Sequence, residues 1–188
     1  MKILGLAQNV CLRLLAVCCL AMLLSPESGI AQTAAQSEFK VSTVYLVRHA
    51  EKAAAPAADP PLTEAGTKRA EELARKLSKA DIQTILTSQF LRTKNTAEPL
   101  AKQLGITATV VPVKMAGREL APDYLKEMVE RATSGGNALI VGHSNTVPEL
   151  IKALGGDLAP TIDDATYDDL FVVTVYAKGK AKVAHLKQ

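Results

Sequence analysis

The stretch Thr43-Val44-Tyr45-Leu46-Val47-Arg48-His49-Ala50-Glu51-Lys52 decides how this chain is read. Val44 to Val47 is a β-branched and aromatic apolar run with the make-up of a buried strand. It ends in Arg48-His49. A guanidinium and an imidazole at the end of a buried strand are costly unless an anion meets them there. In open α/β sheets, ligands bind at that end of the strands. The chain has three histidines, and two of them, His49 and His143, directly follow such apolar runs.

Working outward, strands alternate with helices. Strands are expected at Thr43 to Val47, Thr84 to Leu86, Thr109 to Val113 and Ala138 to Gly142. A helix opens at Thr63, a plausible N-cap, with Ala70, Leu73, Ala74 and Leu77 on one face. Phe90 to Leu104 is a second helix stopped by Gly105. Pro122 to Thr133 is a third, with proline at its start, and Val147 to Leu154 a fourth. Leu170 to Tyr176 and Ala181 to Leu186 read as closing strands around the Lys178-Gly179 turn. The class is therefore α/β: a three-layer sandwich, its mostly parallel central sheet covered by helices on both faces, with an antiparallel edge hairpin. The proline-rich run Ala53 to Pro61 is a loop overhanging the end of the first strand.

Three segments carry chemistry. The first supplies Arg48 and His49. The second, Thr87-Ser88-Gln89-Phe90-Leu91-Arg92-Thr93-Lys94-Asn95-Thr96-Ala97, puts Arg92 in the first turn of a helix. A cation is misplaced there against the helix dipole, unless an anion shares that end. The third, Val141-Gly142-His143-Ser144-Asn145-Thr146, puts His143 between a strand and a helix. A parallel sheet gathers the exits of neighbouring strands. Two guanidiniums and two imidazoles around one spot suit a tetrahedral oxyanion, most naturally phosphate. A neutral imidazole can also attack phosphorus.

On these motifs the chain resembles the histidine phosphatase superfamily, also called phosphoglycerate mutase-like. Val-Arg-His-Ala-Glu-Lys, the Ser-x-x-x-Arg-Thr-x-x-Thr-Ala segment and Val-Gly-His-Ser-Asn carry the likeness, and Pro61 to Gly66 is also similar. It runs from about Val44 to Leu150. The resemblance implies that His49 is the nucleophile and becomes a phosphohistidine. Arg48, Arg92 and His143 would hold the phosphate, with Asn145 lining the pocket, and neither metal nor organic cofactor is needed. Ala50 stands where the family most often has glycine. The family usually supplies a carboxyl to protonate the leaving oxygen, for which the candidates are Glu51 and Glu119. The small domain favours a phosphatase over a mutase.

Other readings are weaker. Gly142-His143-Ser144-Asn145-Thr146 approaches a serine nucleophile elbow, with Asp163 or Asp168 and then His185 as partners. Thr146 occupies the place of its second glycine, and Arg48, His49 and Arg92 go unexplained. A non-catalytic phosphate-binding module would keep the arginines without needing His49. Lys52 and Lys94 read as surface charges, Ser88 and Thr96 as helix braces, and His185 has no assigned role.

Residues 1–31 read as a secretory signal peptide, with Lys2 and Arg13 in a positive n-region ahead of the apolar stretch and small residues for cleavage at Gly29-Ile30-Ala31. Leu14 to Leu24 is about 11 residues, short of the ~20 that a membrane span needs. Residues 32–42 then form an extended start and 43–188 one domain in a periplasmic or secreted protein. All three cysteines, Cys11, Cys18 and Cys19, fall in the leader. Once it is removed, no disulfide and no cysteine phosphatase chemistry is possible. The net charge is +3, with basic residues scattered among acidic ones, which argues against nucleic acid. There is no Gly-x-x-x-x-Gly-Lys-Ser/Thr loop. The expected partner is a small phosphorylated molecule, whose identity and the oligomeric state the sequence leaves open.

Overall fold

The structure, a computed structural model, describes residues 40–158 and 160–188. The proposed leader, residues 1–31, and most of the extended 32–42 segment lie outside the described residues. Strand β1 spans Ser42–Arg48, β2 Ile82–Thr87, β3 Thr109–Val110, β6 Asn137–Gly142, β7 Asp169–Ala177 and β8 Lys180–Lys187. They form one sheet in the order β3-β2-β6-β1-β7-β8. The first four strands in that order run parallel, while β7 is antiparallel to both β1 and β8. A small separate hairpin pairs β4, Met115–Ala116, with β5, Glu119–Leu120.

Helices α1 (Glu64–Leu77) and α2 (Leu91–Leu104) cover one face; α3 (Pro122–Thr133) and α4 (Thr146–Ala153) cover the other. The period of two along each strand divides the core between them. Val44 and Leu46 of β1 pack with Tyr124, Met128, Leu150 and Ile151. Tyr45 and Val47 point the other way, toward Leu73, Leu77, Leu100 and Ala101. Ile140 and Leu139 of β6 divide in the same manner. A fully buried leucine such as Leu73 or Leu150 contributes roughly 2 kcal/mol from area alone. The three-layer α/β expectation is met, including the antiparallel hairpin at one edge.

Helix boundaries follow local chemistry. Thr63 caps α1, its Oγ1 accepting from Gly66 N at 3.1 Å. Gly66 in turn lies flat against the backbone of Glu51, where a Cβ would collide. Gly105 closes α2 with φ +67°. The strand expected over Thr109 to Val113 is only two residues long. Val111 N still bonds Thr87 O at 2.8 Å, but beyond it the chain leaves the sheet for the β4–β5 hairpin.

Register is what assembles the site. Arg48 lies opposite Gly142, and Thr87 opposite Val141, so β1, β6 and β2 end side by side. Their continuations, His49, His143 and Ser88, therefore meet at one edge. Gly142 is required at that turn: a Cβ would sit 2.7 Å from Thr146 Oγ1 and 3.1 Å from Val147 Cγ2.

Candidate active site

A cavity of about 300 Å³ opens at this edge, lined by His49, Arg92 and His143, with Phe90, Lys52 and Asn145 around them. The two imidazoles meet edge to face with ring centroids 5.4 Å apart. Each is fixed by its own strand end. His49 N donates to Gly142 O at 2.9 Å, tying β1 to β6 beyond the ladder. Its Nδ1 is 2.8 Å from Ala50 O. A carbonyl only accepts, so Nδ1 carries the proton and Nε2 keeps its lone pair. Ala50 N is bound by Thr96 Oγ1 at 2.9 Å, which anchors the turn to α2.

His143 is held by hydroxyls. Its Nε2 is 3.0 Å from Ser88 Oγ, which is 2.9 Å from Thr93 Oγ1. Its backbone N donates to Thr146 Oγ1 at 2.8 Å. Phe90 packs edge-on to the ring at 5.5 Å. Ser88 and Thr96, expected to brace helices, thus brace the two imidazoles as well.

Both rings are neutral at pH 7. Burial pulls His49 down to about 4; its bond to Ala50 O opposes this, and Arg48, Arg92 and Lys52 add to the lowering. Burial pulls His143 down to about 3, helped by Arg92, His49 and Arg48. The surroundings are therefore already positive before either ring takes a proton.

The arginines stand differently. Arg92 stacks over Phe90, Cζ 4.2 Å from the ring centroid, and its nearest carboxylate, Asp59, is 4.0 Å away. Burial, then nearby Arg48, lowers its pKa against the pull of Asp59. Arg48 is 6 % exposed and lies beneath the histidines rather than on the cavity wall. A segment that the sequence reading touched only at Asp163, as a candidate serine hydrolase partner, clamps it. Its Nη1 donates to Asp163 O at 2.8 Å and Thr166 O at 3.3 Å, and it stacks on Tyr167 at 4.4 Å. Both guanidiniums keep a buried Nε with no acceptor among the described residues. A buried cationic N–H without a partner is rare and costly, and an oxyanion would satisfy it.

The two carboxylates considered as acids are not in the cavity. Glu51 turns to α1, where Arg69 Nε binds both its oxygens at 3.0 Å and Nη2 binds Oε1 at 2.6 Å. That pairing holds its carboxyl below the usual range, the wrong direction for a proton donor. Glu119 sits exposed on β5, away from the cavity lining. Lys52, expected to be a bystander, does line the cavity, as does Val113; the flanking loops Ala53 to Pro61 and Met115 to Asp123 do not. The serine hydrolase arrangement is not assembled. Ser144 Oγ donates to Asp164 at 3.1 Å, while His185 lies on the edge strand, bonded to Asp169 at 2.7 Å and stacked on Phe171. Among the described residues, no group of three or more His, Cys, Asp or Glu side chains could hold a metal ion, and no helix is long and apolar enough to cross a membrane.

Comparison with known proteins agrees with this geometry. No curated protein matches the sequence. Among solved structures, the protein histidine phosphatase SixA complexed with tungstate superposes with a TM-score of 0.59 at 22% identity, covering 77% of this chain and 96% of its own. The protein assigned as phosphohistidine phosphatase SixA from Agrobacterium tumefaciens gives 0.59 at 24% identity, covering 78% and 98%. A mycobacterial glucosyl-3-phosphoglycerate phosphatase, Rv2419c, in complex with inorganic phosphate gives 0.58 at 15%, covering 77% and 95%. At these identities the likeness establishes the shared fold. Residues 44–113, which bear His49 and Arg92, match the model of the histidine phosphatase superfamily (branch 1). Over residues 44–113 the chain is similar to the histidine phosphatase superfamily, and it shares its fold with the phosphatases named above.

Proposed function

We propose that the protein is a phosphoric monoester hydrolase that passes the PO3 unit through Nε2 of His49. The observation that carries this reading is the pinned tautomer. Ala50 O takes the Nδ1 proton, burial keeps the ring neutral, and the remaining lone pair belongs to a residue on the cavity wall. Arg92 and the Nδ1–H of His143 bind the phosphoryl oxygens. That tautomer of His143 follows if the Ser88 hydroxyl donates to Nε2. Arg48 adds charge from below, and Asn145 lines the same wall. As Nε2 bonds to phosphorus, the bond from phosphorus to the leaving group breaks. Water then attacks the phosphohistidine, releasing inorganic phosphate and restoring the imidazole. The developing charge is met by fixed guanidinium and imidazole N–H groups.

The cavity lining contains no carboxyl group. The leaving group must then depart with little help, which favours activated esters and P–N phosphoramidates over alkyl phosphates. The names of two structural neighbours, phosphohistidine and protein histidine phosphatases, fall in that class. Neighbours holding tungstate and phosphate support an oxyanion site on this fold. The leader-like composition of residues 1–31 supports export to the periplasm or outside the cell with cleavage after Ala31; N-terminal sequencing of the exported protein checks the cleavage point.

The test is a rapid quench with a radiolabelled phosphomonoester. An alkali-stable, acid-labile label should appear on His49. The variant His49→Ala should lose the label and on the order of a thousandfold in kcat. Turnover that survives in this variant would overturn the reading. Binding of phosphate with no label and no turnover on an ester and phosphoramidate panel would favour a non-catalytic phosphate-binding module.

A further inference from the structure

A second cavity, of about 410 Å³, adjoins the first and shares Ser144 and Asn145 with it. Its remaining walls include Pro148, Thr161, Ile162 and Asp164. Asp164 is the only charged residue among them, and its side chain is 90% exposed. The carboxylate is oriented rather than free. Oδ1 accepts from Ser144 Oγ at 3.1 Å and stands 3.5 Å from Arg48 Nη2. Its Oδ2 has no partner among the described residues. The first cavity is positive, with Arg92 and Lys52 on its wall and Arg48 beneath, so charge reverses from one cavity to the next across two residues.

We propose that this second cavity is the leaving-group subsite and that Asp164 selects leaving groups bearing a positive charge. The inference rests on the phosphate position argued above. With the phosphoryl group against His49, Arg92 and His143, whatever is bonded to phosphorus must extend past Ser144 and Asn145 or out into solvent. An anionic leaving group following that path meets Asp164 and is repelled. A neutral one gains only the contact with Pro148 and Ile162. A protonated amine or imidazolium a few bonds from phosphorus meets Oδ2. The ligand class is therefore a zwitterionic phosphoryl compound, anionic at one end and cationic at the other. The Ser144 hydroxyl bond holds the carboxylate in place, which also gives that serine a use outside nucleophilic chemistry.

A matched pair tests this: phosphoethanolamine and 2-hydroxyethyl phosphate differ at the far end by an ammonium against a hydroxyl. Both are titrated by calorimetry into His49→Ala, where turnover cannot intrude, and into His49→Ala carrying either Asp164→Asn or Thr161→Lys. The ratio of the two dissociation constants cancels any general change in phosphate binding. For an exposed ion pair, phosphoethanolamine should bind about threefold tighter. The ratio should fall to about one with Asp164→Asn, and should invert with Thr161→Lys, which adds a cation to the wall of the same cavity. A ratio of one in the parent, or a preference that survives Asp164→Asn, overturns the subsite and leaves the phosphatase reading standing. If neither compound nor inorganic phosphate binds, the phosphate site itself is wrong and the subsite falls with it.

Discussion

Two partly buried arginines, twenty-three positions apart, show how one side chain serves two ends. Arg69 on α1 is 26% exposed and spends Nε and Nη2 on Glu51. Arg92 on α2 is 16% exposed, and no hydrogen bond holds its guanidinium among the described residues. The first guanidinium is complete within the fold, so it holds α1 to the turn after β1. The second keeps an unpartnered Nε at a cavity beside two neutral imidazoles, which is what the proposed phosphate site uses. The histidines repeat the contrast: His185 is satisfied by Asp169 on the edge hairpin, whereas His49 keeps an open nitrogen.

The largest way to press on this contrast is pH. The folded values of about 4 for His49 and about 3 for His143 lie below the unfolded 6.5. Between those limits the unfolded chain binds protons that the folded chain refuses. The stability is full above pH ~6.5 and is lost as pH falls through that window. Urea denaturation should show a loss on the order of 3 kcal/mol between pH 7 and pH 5. His143→Gln should remove about half of that slope. A profile that the variant leaves unchanged would mean the rings are not buried neutral.

Next comes the arginine pair itself. Arg92→Lys keeps the charge but not the planar fork, and should lower kcat/KM by about a hundredfold. Arg69→Lys should leave kcat/KM within about twofold and cost roughly 1 kcal/mol of stability, given its partial exposure. Equal kinetic losses in the two variants would erase the distinction. A smaller effect is expected of Ser88→Ala. Without its hydroxyl, His143 no longer has a fixed tautomer, and kcat/KM should drop about tenfold, with Ser88→Thr recovering part of it. The smallest belongs to Glu51→Gln. The carboxamide cannot pair ionically with Arg69, so stability should fall by roughly 1 kcal/mol or less. Its kcat/KM should stay within about threefold; a collapse of the basic limb of the pH profile would instead make Glu51 the missing acid.

How much of this was legible beforehand depends on chain distance. The strand ending in Arg48-His49, the helix carrying Arg92 and the turn carrying His143 all follow from short apolar runs and their punctuation. The β4–β5 hairpin does not, because two-residue strands have no period to read. Thr109 to Val113 has β-branched composition, yet only its first two residues pair, since the sheet ends there. The clamp on Arg48 by Asp163, Thr166 and Tyr167 left no trace. Two of its three contacts are backbone carbonyls, which any residue could supply. Glu51 reads as a candidate acid because it lies two residues after His49 in the sequence. In the fold its carboxylate turns instead to Arg69 on α1, eighteen positions along the chain.

The sequence by itself determined the layers, the parallel order implied by alternating elements, and the identity of the four cationic or imidazole groups that gather at one edge, because apolar periodicity and local turn chemistry are properties of neighbouring residues. Tertiary structure alone decided which guanidiniums stay unsatisfied, which imidazole nitrogen keeps its lone pair, and where the carboxylates end up. Those outcomes depend on burial and on partners far away along the chain, as with Glu51 and Arg69, or Arg48 and Asp163. Desolvation and hydrogen bonding act through space, and only the folded chain sets those distances.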